Sequence, residues 1–470
     1  MKKAISIIFA LALSLSAFAE VIGGQQAVNT AKEFFRVNGK GSDPTLTLVR
    51  TGYQTTTKSP IAISTDPTYY VYNRKGGGWV ILAADDSVDP LIGYSMTGEF
   101  PSDKVLPGGL GWWLDVNISN QIAYGRAHGC VMKASSNSNG DVLKAGEGIT
   151  YETATWDQSA PYNGECPEIE GHATITGCVA TAASIKCRYH EWPYKGSGTT
   201  PAYSYRCDDL GGKEVTIPSN TLGRIYDYDN MPLRYTSSSN ATQKAAVAAL
   251  MHDMGTGCKM MYGWASGSGA YPPDLEYSLK TYFHYDKNLH LEYRFSYNDD
   301  TWIEMLKNEL DENGPILYGG VDPSPGGGGH KFIFDGYNGS SQFRVNWGWS
   351  GSGNGWFRIT NLNGYSEQQH AILDCKPDRN GIYTPDEVAE KIYFKYSSNI
   401  ATISCGENYN LFIESDKGTS VLSKTKVAKD TKITFTKNDL GGAGNYTVTV
   451  EFSDVVAQFP DSKYKFEIVF

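Results

Sequence analysis

The sequence predicts an α+β fold closed by an all-β sandwich, and three observations predict it. Residues 149–375 mix helix-like with strand-like segments. From about residue 379 the chain alternates apolar and polar residues between turn signals, as in "EKIYFKYSSNIATISCGENYNLFIESDKG". That is the spacing of short strands in a small immunoglobulin-like sandwich. Before both, residues 20–135 carry a short helix-like start, "QQAVNTAKEFFRVNG", then strand-like stretches such as "TYYVYNR" and "GGWVILAADD".

The elements divide in chain order. Residues 1–19, "MKKAISIIFALALSLSAFA", place two lysines before an apolar run that ends in A-x-A. This is the pattern of a secretory signal cut before Glu20. The run is too short for a comfortable span, and no other long apolar run follows, so no membrane span is expected. Residues 20–147 form an N-terminal α+β segment. The stretch "KASSNSNGDVLKAGEG" at 133–148 is small and polar, a linker open to proteases. Residues 148–378 and 379–470 make the mixed domain and the sandwich. The 470 residues leave room for roughly three domains.

Composition narrows the function. Aromatic residues make up 13% and charged residues 20%, with 51 glycines and 31 tyrosines, which is a turn-rich globular chain rather than a disordered one. The net charge of −10 without a long basic run argues against nucleic acid as a partner. Eight cysteines show no CxxC pair and no zinc-like spacing with histidine. An exported chain can oxidise some of them. A cut in the linker would remove Cys130, and connectivity stays open.

One cysteine stands apart. In "TITGCVATAA" (174–183), Cys178 follows a glycine and opens a helix-like run. A thiol at a helix N-terminus is acidified by unpaired N–H groups and the helix dipole. A small buried hydrophobe is the commoner fate of a free cysteine. The helix runs to Trp192 and stops before Pro193. His190, twelve residues along, lies roughly 18 Å away and cannot serve as base. Cys187 falls on the opposite face. His172, in the preceding loop, is a weaker candidate.

His330 is the stronger one. It follows Gly326–Gly329 and opens the strand-like "HKFIFDGY". Glycines there let a substrate backbone approach, although a plain hairpin loop has the same composition. A second strand, "QFRVNWGW", carries Asn346 and Trp347. An Asn side-chain oxygen can accept the imidazole N–H and set its tautomer, while Trp shields the bond. Strand neighbours point to opposite faces, so without a bulge only one of the two faces His330. Trp349 is expected in the core.

These stretches together carry a resemblance. "TGCVATAASIKCRYHEWP", "GGHKFIFDGY" and "FRVNWGWSGSGNGWFRI" resemble the streptopain family of secreted papain-like cysteine proteases, peptidase family C10. "TWDQSAPYN" (155–163), "MHDMGTGCKMMYGWASGSGA" (251–270) and "WIEMLKNELDENGPILYGG" (302–320) match it in the same order. The likeness covers about residues 150–375 and, more loosely, the segment before. It implies a papain-like domain with Cys178 as nucleophile and His330 as general base and acid. Gln158, in a "D-Q" where the family has "N-Q", would supply an oxyanion-hole donor beside the Cys178 N–H. Asn346 and Trp347 would orient and cover His330. Ser268 and Gly329 match positions that contact the substrate backbone. No metal or cofactor is implied. Residues 20–147 would be an inhibitory prodomain, the protein's own partner beside its protein or peptide substrates; the sandwich's partner is not named. The loop Val321–Gly329 is longer than in the family, and Trp264 precedes Ser268.

Two other classes fit parts of the chain. A non-catalytic binding or adhesive protein on this scaffold would use the sandwich, but it would be favoured by loss of Cys178 or His330, and both are kept. A papain-like cell-wall amidase or transglutaminase also uses Cys and His, but lacks "GCVATA" and "VNWGW" together.

Overall fold

The strand Trp79–Ala83 (WVILA) is apolar at every position and buried at all five. Such a strand needs cover on both faces. In the computed structural model, one face is covered by the helix Gly24–Val37. That helix buries Ala27, Ala31, Phe34 and Phe35, spaced as one helical stripe, against Tyr70, Tyr72, Val80, Leu82 and Tyr94. On the other face the Trp79 ring meets Phe100 and Phe357, with centroids 5.2 and 5.6 Å apart. The structure describes residues 19–53, 65–102, 106, 114–115, 118–129, 148–321, 329–339, 342–358, 368–379, 392–397, 399–452 and 463–470. The expected signal segment up to residue 18, Cys130, the expected linker up to residue 147 and the residues 322–328 lie outside them.

The chain divides into two compact units. The first joins Met1–Tyr151, Tyr293–Leu310 and Tyr318–His370; the second joins Glu152–Glu292, Asp311–Leu317 and Ala371–Phe470. In the first, neighbouring strands run in the order Leu46–Tyr53, Pro67–Arg74, Trp79–Ala83, Leu91–Ser95, Gly355–Arg358, Gln342–Asn346, Gly329–Asn338. The N-terminal sheet therefore passes by hydrogen bonds into strands far along the chain. The junction pairs Gly93 with Phe357 and Tyr94 with Trp356, antiparallel. Just past the linker, Gly148–Thr150 pairs with Gly336–Asn338. Sheet hydrogen bonds, rather than chain order, set this unit's outline.

In the second unit the helix Cys178–His190 has every residue from Val179 to Cys187 buried. The polar members of that stretch are bonded inside the domain, Lys186 Nζ donating to Asn313 O at 2.6 Å. The C-terminal segment forms a three-stranded sheet, Ile392–Ser397, Ile400–Cys405 and Ile433–Thr436. Beside it stands a four-stranded one in the order Ser420–Val427, Tyr409–Ser415, Asn445–Phe452, Lys463–Val469. Tyr409, Leu411 and Ile413, and Tyr446, Val448, Val450 and Phe452, alternate inward to share one core with Ala401, Ile403 and Phe435. This is the sandwich that the alternation announces. Among the described residues no helix is long and apolar enough to cross a membrane.

The junction strand has no room for a side chain at Gly93, where a Cβ would stand 2.8 Å from both Phe357 Cδ1 and the Trp356 carbonyl oxygen. Gly93→Ala should therefore lower unfolding free energy by about 1–3 kcal/mol, read as a lower urea midpoint. An unchanged midpoint would mean that the two strands part without cost.

Candidate active site

The cysteine side is built in the second unit. Residues 174–177 reach the helix through a ladder of bonds to three loops. Thr174 O accepts from Asn163 Nδ2 at 2.7 Å. The Ile175 N–H donates to Gly263 O at 3.0 Å, and the Thr176 N–H to Gln158 O at 3.0 Å. Gly177 then turns the chain with φ +82° and ψ 147°, a conformation open to glycine at little cost. A Cβ there would stand 2.6 Å from Met260 Sδ and 2.8 Å from Ser268 O. Cys178 is the first helical residue, behind a cap with no side-chain bond. The first-turn N–H groups lack intrahelical partners, so the half-buried thiol sits at the positive end of the helix.

Gln158 is half-buried beside this turn. Asp157 Oδ1 shapes its loop, accepting the N–H groups of Gln158 at 2.6 Å and Ser159 at 3.3 Å. Ser268 is buried, and its hydroxyl is spent inside the protein. It donates to Ile175 O at 2.7 Å and accepts the Gly263 N–H at 2.9 Å. That leaves the backbone of this loop, rather than the hydroxyl, as its outward chemistry. His172 stacks on the Trp264 indole, with centroids 4.3 Å apart and planes 11° apart. His190 closes the helix, half-buried between Tyr285 OH at 3.1 Å and Asn313 O at 3.2 Å. Burial pushes it well below the ordinary imidazole range, so its place is structural. Cys187 is fully buried and its thiol is pushed up by desolvation. All seven described cysteines are free thiols.

The histidine side is built in the first unit. His330 follows Gly329 at the start of the strand Gly329–Asn338. Its ring is covered by Trp349, Phe332 and Trp347, with centroids 4.7, 5.7 and 6.3 Å away. Its Nε2 faces Trp347 O at 3.1 Å. A carbonyl only accepts, so the neutral ring carries its proton on Nε2 and leaves the Nδ1 lone pair free of it. Asn346 Oδ1 instead accepts the Gly348 N–H at 3.2 Å. Desolvation lowers His330 to about 4, against a smaller opposing effect of the Trp347 carbonyl.

The strand Gln342–Asn346 ends before Trp347, so strand alternation stops there. Gly348 has φ +73° and turns the chain. Both Trp347 and Trp349 then reach His330, stacked 5.5 Å apart at 11°. Trp347 is locked by its N–H to Asn354 Oδ1 at 2.9 Å and its indole N–H to Gly353 O at 3.0 Å. Trp349 corrects the core assignment: it is half-buried and makes the nearest ring contact to His330. The i, i+2 spacing in "WGW" was the available signal. At Gly329 a Cβ would make only ordinary contacts, 3.6 Å from Gly320 O, so the fold does not demand glycine there.

Two consequences can be measured. Gly177→Ala meets both the strained φ and the Met260 and Ser268 contacts, and should cost about 2 kcal/mol or more. A wild-type denaturation midpoint would refute that packing. His330 is held neutral when folded, down to about 4, while the unfolded ring protonates near 6.5. The stability gained by the neutral ring is complete above about 6.5, falls as pH drops to about 4, and changes no further below. His190, His370 and His284, also lowered by burial, share this acid slope. His330→Gln should remove one proton's share, about 1.4 kcal/mol per pH unit within that window. Urea midpoints from pH 7 to 4 that keep the wild-type slope would contradict it.

Comparison with known proteins places both sides in one lineage. The model of the Peptidase C10 family matches residues 156–357, and that of the Spi protease inhibitor matches residues 19–121. The chain is 30% identical to the thiol protease/hemagglutinin PrtT of Porphyromonas gingivalis over 377 residues, 76% of this chain but 42% of that protein. It is 30% identical to streptopain of Streptococcus pyogenes over 336 residues, 66% of this chain and 80% of that one. A prointerpain A fragment of Prevotella intermedia superposes with a TM-score of 0.57 at 28% identity, covering 71% of this chain and all of the fragment. With Cys178 and His330 both inside the matched span, the chain belongs to the Peptidase C10 family of cysteine peptidases.

Proposed function

We propose that the protein is an exported cysteine endopeptidase made as a zymogen. Cys178 as thiolate attacks a peptide carbonyl carbon. Gln158 and the Cys178 N–H donate to the oxyanion that forms; one such donor is worth roughly 3 kcal/mol. His330 as imidazolium gives its proton to the leaving amine. The thioester is then opened by water, whose proton returns to His330, releasing the acid and the thiol. Trp347 takes the imidazole N–H on its carbonyl and covers the ring, Asn346 steadies the Gly348 turn beside it, and Ser268 and Gly329 line the substrate backbone.

The observation that carries this reading is the place of Cys178: a half-buried thiol at the first position of a buried helix, behind a glycine turn bonded to the Gln158 loop. Family membership supports the reaction class. The inhibitor-model match over residues 19–121 supports a prodomain in 20–147. So does the sheet, which runs from the N-terminal strands through Gly355–Arg358 and Gln342–Asn346 to the strand of His330. In this uncut chain His330 is buried and neutral, which suits a latent enzyme, because the working pair needs an imidazole that protonates. Cleavage in 133–148 would release the N-terminal segment.

Cys178→Ala should abolish peptidase activity and self-processing while leaving the fold intact. Treated with a trace of active enzyme, this variant should be cut first within 133–155, shown by sequencing the new N-terminus. Full cleavage of a denatured protein by the purified variant would sink the assignment of the nucleophile, and a first cut well outside that window would sink the linker.

A further inference from the structure

The loop 263–268 beside Cys178 is "GWASGS", whose side chains apart from Trp264 are too small to order it. It is held from two directions. On the inner side it bonds to Ile175, three residues before Cys178, through Gly263 O and the Ser268 hydroxyl. On the outer side one carboxylate gathers three successive backbone N–H groups. Asp209 Oδ2 accepts from Trp264 at 2.6 Å and Ala265 at 3.0 Å, and Oδ1 from Ser266 at 2.7 Å. Asp209 lies in the short turn Asp208–Leu210, after the strand Tyr203–Cys207, distant in sequence from both Cys178 and the loop it holds. The clamp also sets the Trp264 backbone, whose indole then lies flat on His172.

We infer that Asp209 is a positioning residue for peptide binding: its carboxylate presets residues 263–268 as a rigid edge for the extended backbone of the substrate. This rests on the peptidase reading above. Ordering the loop before binding removes that entropy from the cost of association, so the effect belongs to substrate affinity and not to the chemical step. Desolvation raises the Asp209 carboxyl, but the bonds from Trp264, Ala265 and Ser266 outweigh it and hold it down to about 2. The clamp therefore stays charged at any pH where a thiolate works.

The test compares Asp209→Ala, Asp209→Asn and Asp209→Glu in the full chain, allowed to self-process and normalised by thiol titration. The probes are a tetrapeptide 4-nitroanilide and a single-residue 4-nitrophenyl ester. Asp209→Ala should raise KM for the tetrapeptide about tenfold with kcat within about twofold, and leave the ester unchanged. Asp209→Glu should restore most of the loss. Asp209→Asn, isosteric and uncharged, should fall between and serves where the alanine variant does not fold. A wild-type KM in the variants, or a fall in kcat shared by both probes, would overturn the inference while the peptidase reading stands. A wild-type chain that cleaves neither probe would overturn both.

Discussion

The cysteine side of this protein depends on one backbone conformation, the positive φ at Gly177. It lets the chain arrive from the bonded segment 174–176 and begin a helix at the next residue, so that the thiol stands at the helix start. Met260 and the Ser268 carbonyl close over it, leaving no space for a Cβ. The turn is thus over-determined by its neighbours, which is how a sparsely populated conformation persists at a working site. The bonds of Thr176 and Ile175 tie it to the Gln158 loop on one side and the 263–268 loop on the other.

The surroundings of Cys178 and of His330 have opposite physical characters. Cys178 is half-buried at the first position of its helix, the positive end of the helix dipole. His330 is enclosed by three aromatic rings and loses its charge to desolvation. Its remaining polar contact, the Trp347 carbonyl, fixes the tautomer with the lone pair on Nδ1. A ring so held carries an open lone pair on Nδ1 in surroundings that disfavour the imidazolium.

The N-terminal segment supplies the other constraint. An open sheet edge is a template for another strand, and here Leu91–Ser95 occupies the edge of Gly355–Arg358. The pairing brings Trp79 onto Phe357. Trp347 packs on the same Phe357 ring, with centroids 5.3 Å apart. Packing is therefore continuous from the core of the N-terminal strands to the aromatic wall of His330.

The sequence by itself determined what local chemistry can specify. Gly177 before a helix-forming run made Cys178 a candidate, four glycines before a strand-like run made His330 another, and alternation after residue 379 announced the sandwich, while their roles came only with the family resemblance. Each is written within a dozen residues, because turn and strand preferences act at that range. Only the tertiary structure decided the rest. Trp349 left the core because the strand ends at Asn346 and Gly348 bends the chain, which no alternation rule foresees. The imidazole met the Trp347 carbonyl while Asn346 turned to Gly348. The N-terminal strands joined a sheet whose other members lie some two hundred residues away in sequence. Asp209, unmarked by any motif, became the anchor of the loop beside Cys178. These are choices among partners distant in the chain, and they are settled by which hydrogen bonds and buried surfaces can be satisfied together, a condition that no short stretch of sequence contains.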